Sequence, residues 1–469
     1  MKTLFTALVI LFMPGLAFCQ ISFSKIFLDD QPAYPGPAIQ TSDGGYALCG
    51  SVFTQNGSVG TWLIRTNPFG DTLWTKTYAG PPKMYESVFS ETDDDGFIIC
   101  GNLSESVNTD IVLTRTNSTG DTIWTRKLPN GTGNAIALSE DGGYLIAGKQ
   151  DSATLVIKTD ENGYETWRKI YHPSGNTGTR SYANSIEETD DFGSVVIGNC
   201  NEYPTAGDTK SIFMIRLNSN GDSLWGKIYN HVQYQLAMSG HQIPGGYIIC
   251  GQIDTNGSFI NTNAYIIRTD NTGDTLWTKA NGNYRGQYYG SLQQTNDGGF
   301  IACGGLDDFD LQNVLLDKLD SSGGIIWSRQ FPFTSGISVR QTTDNGYILG
   351  VRYVSPSNEY GLGMIKTDEN GLLAGIGPSS GDEDSWISAN SPNPFSEQTT
   401  ITYRLDTKSP VTLEIFSVTG KLLKTLWEQP QTPGIHALTV HGADIPSGIY
   451  IYHVHTSDKT GIGKMIVSH

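Results

Sequence analysis

The ten residues TSDGGYALCG at 41–50 decide the fold, because the pattern returns six more times along the chain. The later copies are TDDDGFIICG (92–101), SEDGGYLIAG (139–148), TDDFGSVVIG (189–198), QIPGGYIICG (242–251), TNDGGFIACG (295–304) and a shortened TTDNGYILG (342–350). The equivalent glycines are Gly45, Gly96, Gly143, Gly193, Gly246, Gly299 and Gly346, spaced by 51, 47, 50, 53, 53 and 47 residues. A fixed period in this range marks a repeat architecture, in which each unit buries its apolar face against its neighbours.

A second marker follows in each unit. It reads Asn67-Pro68-Phe69-Gly70 in the first, Asp270-Asn271-Thr272-Gly273 in the fifth and Asp368-Glu369-Asn370-Gly371 in the last. Four residues beyond its glycine stands Trp74, Trp124, Trp167, Trp225, Trp277 or Trp327. Both markers supply residues that tolerate the left-handed backbone angles of tight hairpins. Each unit therefore reads as four strands; in the second these are predicted at 86–92, 97–102, 110–116 and 122–128. Four strands in about 50 residues is the pattern of a propeller blade.

The ends of the array separate a closed ring from the alternative, an open solenoid. The seventh unit has its glycine turn but Gly375 where tryptophan is due, while SFSKIF at 22–27 copies fourth strands such as LWTKTY at 73–78. Phe23 stands at the tryptophan position. The N-terminal strand is thus expected to complete the last blade and leave no open sheet edge. The predicted fold is all-β: a seven-bladed β-propeller over residues 20–376, then a small Ig-like β-sandwich over 390–469.

Composition agrees. Glycine is 55 of 469 residues, charged residues are 16% and aromatic residues 10%. Disordered chains lack that aromatic content. The net charge of −17 repels phosphate backbones, so no nucleic-acid partner is expected. Lys2, the apolar run Leu4–Phe12 and Ala17-Phe18-Cys19 read as a signal peptide over 1–19. No later stretch is long enough for a transmembrane helix. A small, acidic stretch opening with Gly377-Pro378-Ser379-Ser380-Gly381-Asp382-Glu383-Asp384 begins a linker, placed at 377–389.

The last segment carries Asn393-Pro394-Phe395, a hairpin from Val411 to Leu426 around Thr419-Gly420-Lys421, Pro446-Ser447-Gly448-Ile449-Tyr450 and Lys464-Met465-Ile466-Val467. In that order, at the C-terminus, these pieces resemble the type A sorting domain of the Bacteroidetes type IX secretion system. The resemblance implies that the secretion machinery is a partner of residues 390–469. It also implies export across the outer membrane, with removal of the domain and attachment to surface lipopolysaccharide, and so a secreted or cell-surface address.

The string TDNTGDTLW (269–277) resembles the tryptophan-docking motif of quinoprotein propellers, over about ten residues per blade. Its expected role is blade packing, and no quinone cofactor is assigned. Cys49, Cys100, Cys250 and Cys303 share a slot that holds Ala147, Ile197 or Leu349 elsewhere, so they read as apolar core residues. With Cys200 they are expected to be free thiols. The propeller has no Cys-x-x-Cys, His-Glu-x-x-His or Gly-x-Ser-x-Gly. No catalytic, cofactor-binding or metal-ligating residue is assigned. Calcium is the one ion that Asp-rich stretches such as Asp93-Asp94-Asp95 and Asp307-Asp308-Phe309-Asp310 could take through oxygen ligands.

The functional expectation is a non-catalytic, surface or secreted scaffold whose propeller face binds a glycan or a protein. Specificity is expected in the inserts Asn56–Thr61, Tyr203–Lys210, Asn256–Asn263 and Ser355–Tyr360. The alternative is a secreted glycan-hydrolysing or quinone-dependent propeller enzyme.

Overall fold

The computed structural model describes residues 21–467 apart from 29–31, 54–58, 80–83, 106–107, 176, 202–209, 230–233, 255–261, 283–285, 309–310, 355–359, 374–386, 388–389, 391–392, 394, 418–421 and 457–459. The leader, nearly all of the linker and most of the four specificity inserts lie outside the described residues.

Seven four-stranded antiparallel sheets follow one another from residue 23 to residue 367. Blade 2 comprises Met84–Glu91, Phe97–Glu105, Asn108–Thr116 and Thr122–Leu128. The predicted bounds hold at the glycine turns, except that Thr92 belongs to the turn, its N–H bonded to the Gly96 carbonyl. The middle hairpin extends beyond the prediction because its ladder continues through Leu103↔Asp110 to Glu105↔Asn108. Middle strands are covered on both faces by neighbouring blades. Val59–Thr66 and Ser211–Leu217 are accordingly buried at every residue. The fourth strands run along the outside; Thr122–Leu128 buries only its last residue fully.

Closure is as the sequence predicts. Phe23–Phe27 pairs antiparallel with Tyr360–Thr367 and becomes the fourth strand of blade 7. Phe23 sits opposite Lys366, just as Trp74 sits opposite Arg65 and Trp327 opposite Lys318. The first strands of successive blades touch in a ring, and Ser335–Gln341 of blade 7 touches Ala33–Gln40 of blade 1. They surround the axis.

Each blade docks on the next through the second marker. Gly120 lies under Trp74, Gly163 under Trp124, Gly221 under Trp167, Gly273 under Trp225, Gly323 under Trp277 and Gly371 under Trp327. Their φ angles fall between 74° and 79°, and a Cβ would meet the indole at 2.6–2.8 Å. Glycine is needed there for both reasons. Beside the ring, a lysine of the same strand pairs with the aspartate after the glycine: Lys76 with Asp121 at 2.9 Å, Lys227 with Asp274 at 2.8 Å, and Lys169 with Asp222.

The first-marker turns are tied inward. Asp43, Asp94 and Asp191 each pair with a buried arginine of the third strand, respectively Arg65, Arg115 and Arg216. Lysines fill that role as Lys158–Asp141 at 2.7 Å, Lys318–Asp297 at 2.8 Å and Lys366–Asp344 at 2.9 Å. Blade 5 departs: Ile243 pairs directly with Gly246, and Arg268 donates to the Pro244 carbonyl in place of a carboxylate.

The C-terminal unit has two sheets over one core. Gln398–Leu405 pairs with Gly434–His441; the second sheet runs Leu422–Gln431, Ser409–Ser417, Gly448–His455, Thr460–Val467. Ile401, Tyr403 and Leu438 of the first meet Val411, Leu413, Tyr452 and Val454 of the second.

Candidate functional site

Because the first strands circle the axis, residues at one level of the seven strands form a ring around the channel. The register defines one such level: Ile39, Ser90, Ala137, Glu187, His241, Gln293 and Arg340 pair with Ala47, Ile98, Leu145, Val195, Ile248, Ile301 and Ile348. Those partners all lie two residues after the repeat glycine. Blades 1 to 3 present apolar or small side chains at this level. Blades 4 to 7 present a carboxylate, an imidazole, a carboxamide and a guanidinium.

The polar side chains are fixed to different degrees. Glu187 Oε2 accepts the Gln242 N–H at 2.7 Å and lies 3.6 Å from His241 Nδ1. Gln293 Oε1 accepts the Gln341 N–H at 2.9 Å. Burial raises the Glu187 pKa, but His241, the Gln242 amide and Arg340 outweigh it and hold the carboxyl below its ordinary value. The Arg340 effect links blades 4 and 7, which face each other across the axis. Arg340 reaches solvent but is surrounded by protein, which lowers its pKa, and no hydrogen bond joins its guanidinium to another side chain or carbonyl among the described residues. The ring thus holds an anchored acid and, across the axis, a cation that feels its charge but makes no hydrogen bond among the described residues.

Next to this level the blades are clipped together by side chains at the strand ends. Glu91 accepts the Ser42 N–H, Glu188 the Glu140 N–H, Gln341 the Asn296 N–H and Gln40 the Thr343 N–H, at 2.7–2.9 Å. The last bond crosses the seam between blades 7 and 1.

The Asp-rich turns are heavily used by the fold. Asp94 pairs with Arg115, Asp95 accepts the Ser42 hydroxyl at 2.6 Å, and Asp160 Oδ1 receives the Asn162 and Tyr164 amides. In the second Asp-rich stretch, Phe309 and Asp310 lie outside the described residues. A cleft of about 580 Å³ opens at these turns, lined by Asp93, Asp94, Glu140, Glu161 and Arg115 among others. The cysteines Cys49, Cys100, Cys200, Cys250 and Cys303 are free and buried, in agreement with the sequence.

Sequence reasoning placed specificity in the outer inserts and missed the channel ring. The available signal was a repeat column that changes from apolar to ionisable between units 3 and 4. The tighter turn of blade 5 hides it, because His241 falls one residue out of column.

Comparison with known proteins gives the C-terminal unit its family. Residues 391–468 match the family described as the Secretion system C-terminal sorting domain. Such a tail indicates export by the type IX secretion system, to an extracellular or cell-surface location. No helix among the described residues is long and apolar enough to cross a membrane. No curated protein sequence matches the chain. Similar solved structures include the WD40 β-propeller domain of Doa1, 15% identical with a TM-score of 0.46, covering 74% of this chain and 96% of that one. Drosophila Plexin A in complex with Semaphorin 1b is 8% identical with a TM-score of 0.44, covering 74% and 88%. Luciferin-regenerating enzyme is 10% identical with a TM-score of 0.38, covering 62% and 93%. The chain is a seven-bladed β-propeller that carries, over residues 391–468, a secretion system C-terminal sorting domain.

Proposed function

We propose that the mature protein is a non-catalytic extracellular binding protein, whose propeller channel receives an acidic group of a glycan ligand. The observation that carries this reading is the broken ring: Arg340, whose guanidinium makes no hydrogen bond among the described residues, shares a level with the uncharged Ile39, Ser90 and Ala137 of blades 1 to 3. A guanidinium there offers paired donors to a carboxylate or sulfate. The glycine turns of the seven blades, which lie at the same end of the strands as this level, would flank the rest of the ligand.

A glycan hydrolase asks for two carboxylates roughly 5–10 Å apart. The ring level supplies one, Glu187, already engaged by His241 and a backbone amide. That weighs against the catalytic alternative. The leader over 1–19 takes the chain through the inner membrane, and the tail hands it to the type IX machinery, which cleaves the tail and leaves the propeller at the surface.

The test is a glycan array probed with the purified mature chain, followed by calorimetry with the Arg340→Gln variant. Selective binding of acidic glycans that the variant loses supports the reading. Binding confined to neutral glycans, or unchanged in the variant, overturns it. Turnover of a polysaccharide would favour the enzyme.

A further inference from the structure

A second site lies on the sorting domain. His453 and His455 stand two residues apart on Gly448–His455, so the pleat puts both on the face opposite Tyr452 and Val454, which enter the core. Glu414 of Ser409–Ser417 is the direct cross-strand partner of His453. Glu414 Oε2 lies 3.4 Å from His455 Nε2, and the two imidazole centroids are 5.7 Å apart. One ligand atom from each of the three falls within 4.8 Å of the other two. The Phe416 ring packs on His453 at 4.8 Å and limits its rotamers.

We propose that Glu414, His453 and His455 form a site for a transition-metal dication of the zinc type, with water completing the coordination. Metal–ligand bonds of about 2.0–2.2 Å in a tetrahedron place ligand atoms roughly 3.3–3.5 Å apart. The Glu414–His455 pair, at 3.4 Å, already has that separation, and His453, within 4.8 Å of both, would close by at most about 1.5 Å. Two imidazoles and one carboxylate favour zinc, copper or nickel over calcium, which takes oxygen ligands. The bound ion would clamp the two central strands of the sheet. Searches for Cys-x-x-Cys or His-Glu-x-x-His cannot find this site, because its ligands come from two strands far apart in sequence.

The test uses the chain from residue 20 to residue 469 with its tail retained, stripped with chelator and titrated with Co²⁺ at neutral pH. One equivalent with the visible absorption of a low-symmetry, four- or five-coordinate ion, displaced by Zn²⁺, is expected. Glu414→Gln and His453→Gln should each weaken binding by more than the roughly 10–100-fold that losing an outer-sphere partner costs. Thermal midpoints of the metal-free variants report whether the domain still folds; should His453→Gln fail, the near-isosteric Glu414→Gln decides. No stoichiometric binding, or an unchanged spectrum in a His453→Gln/His455→Gln double variant, overturns the proposal and assigns any bound metal to the other histidines.

Discussion

The Phe23 ring lies against Gly70, where a Cβ would approach it to 2.7 Å, and so reproduces at the seam the tryptophan–glycine contact of the other six interfaces. Lys25 pairs with Asp71 at 3.1 Å beside it, as Lys76 does with Asp121. Phe23→Ala is expected to destabilise the propeller by about 3–5 kcal/mol, the usual range for losing a buried aromatic ring. Urea denaturation followed by tryptophan fluorescence measures this. A loss below about 1 kcal/mol would mean that the seam contributes little.

Gly120 combines a φ of 77° with the ring of Trp74 above it. Gly120→Ala is expected to cost about 1–3 kcal/mol, from backbone strain and overpacking together. Gly44 has a similar φ of 83° but nothing within 4 Å of a Cβ. Gly44→Ala should therefore cost less. Comparing the two thermal midpoints separates strain from overpacking.

Acid should loosen the glycine turns. Burial alone would raise the Asp297 pKa, but Lys318, the Thr295 hydroxyl and the Gly299 N–H reverse this and hold it at about 2. A carboxyl depressed in the folded state stabilises above its unfolded value, and that contribution fades as pH falls through the folded value. Stability should therefore decline between about pH 4 and pH 2. In Asp297→Asn the decline should be shallower, as read from urea midpoints across that range.

Glu187 competes with any anion for the field of Arg340. Glu187→Gln removes that charge while keeping the shape and the acceptor for Gln242. Affinity for an acidic ligand should rise about 3–10-fold, the effect of a typical coupling between nearby charges. Calorimetry against the array hit checks it. A loss of affinity would instead make Glu187 a direct ligand contact.

The free cysteines should resist alkylation. Burial pushes the Cys100 and Cys250 thiols up to about 12, and raises Cys49 and Cys303 as well. Little thiolate forms at pH 8, and none of the five is accessible. Mass spectrometry should find them unmodified by iodoacetamide in the native protein and fully modified in denaturant.

Much of this fold was legible because its strongest constraints are local. Gly45 and its six equivalents, and the Asn/Asp-x-x-Gly turns, are required by backbone angle and close approach, so they recur whatever their neighbours are. Phe23 was readable for the same reason: it fills a slot defined six times elsewhere. The channel was not readable. Glu187 and Arg340 are distant in sequence and share one level of the ring only because the propeller closes. The site on the sorting domain escaped likewise, since the pairing of Glu414 with His453 depends on strand register.

The pairing of residues 23–27 with 362–366 also acts as a length check. The strand at 23–27 finds its partner only after nearly every blade has been made. A chain cut short before Leu362 would keep two unpaired sheet edges, which residues 23–27 and 362–366 hide in each other. Since the latch lies wholly upstream of residue 377, removing the tail afterwards need not reopen it.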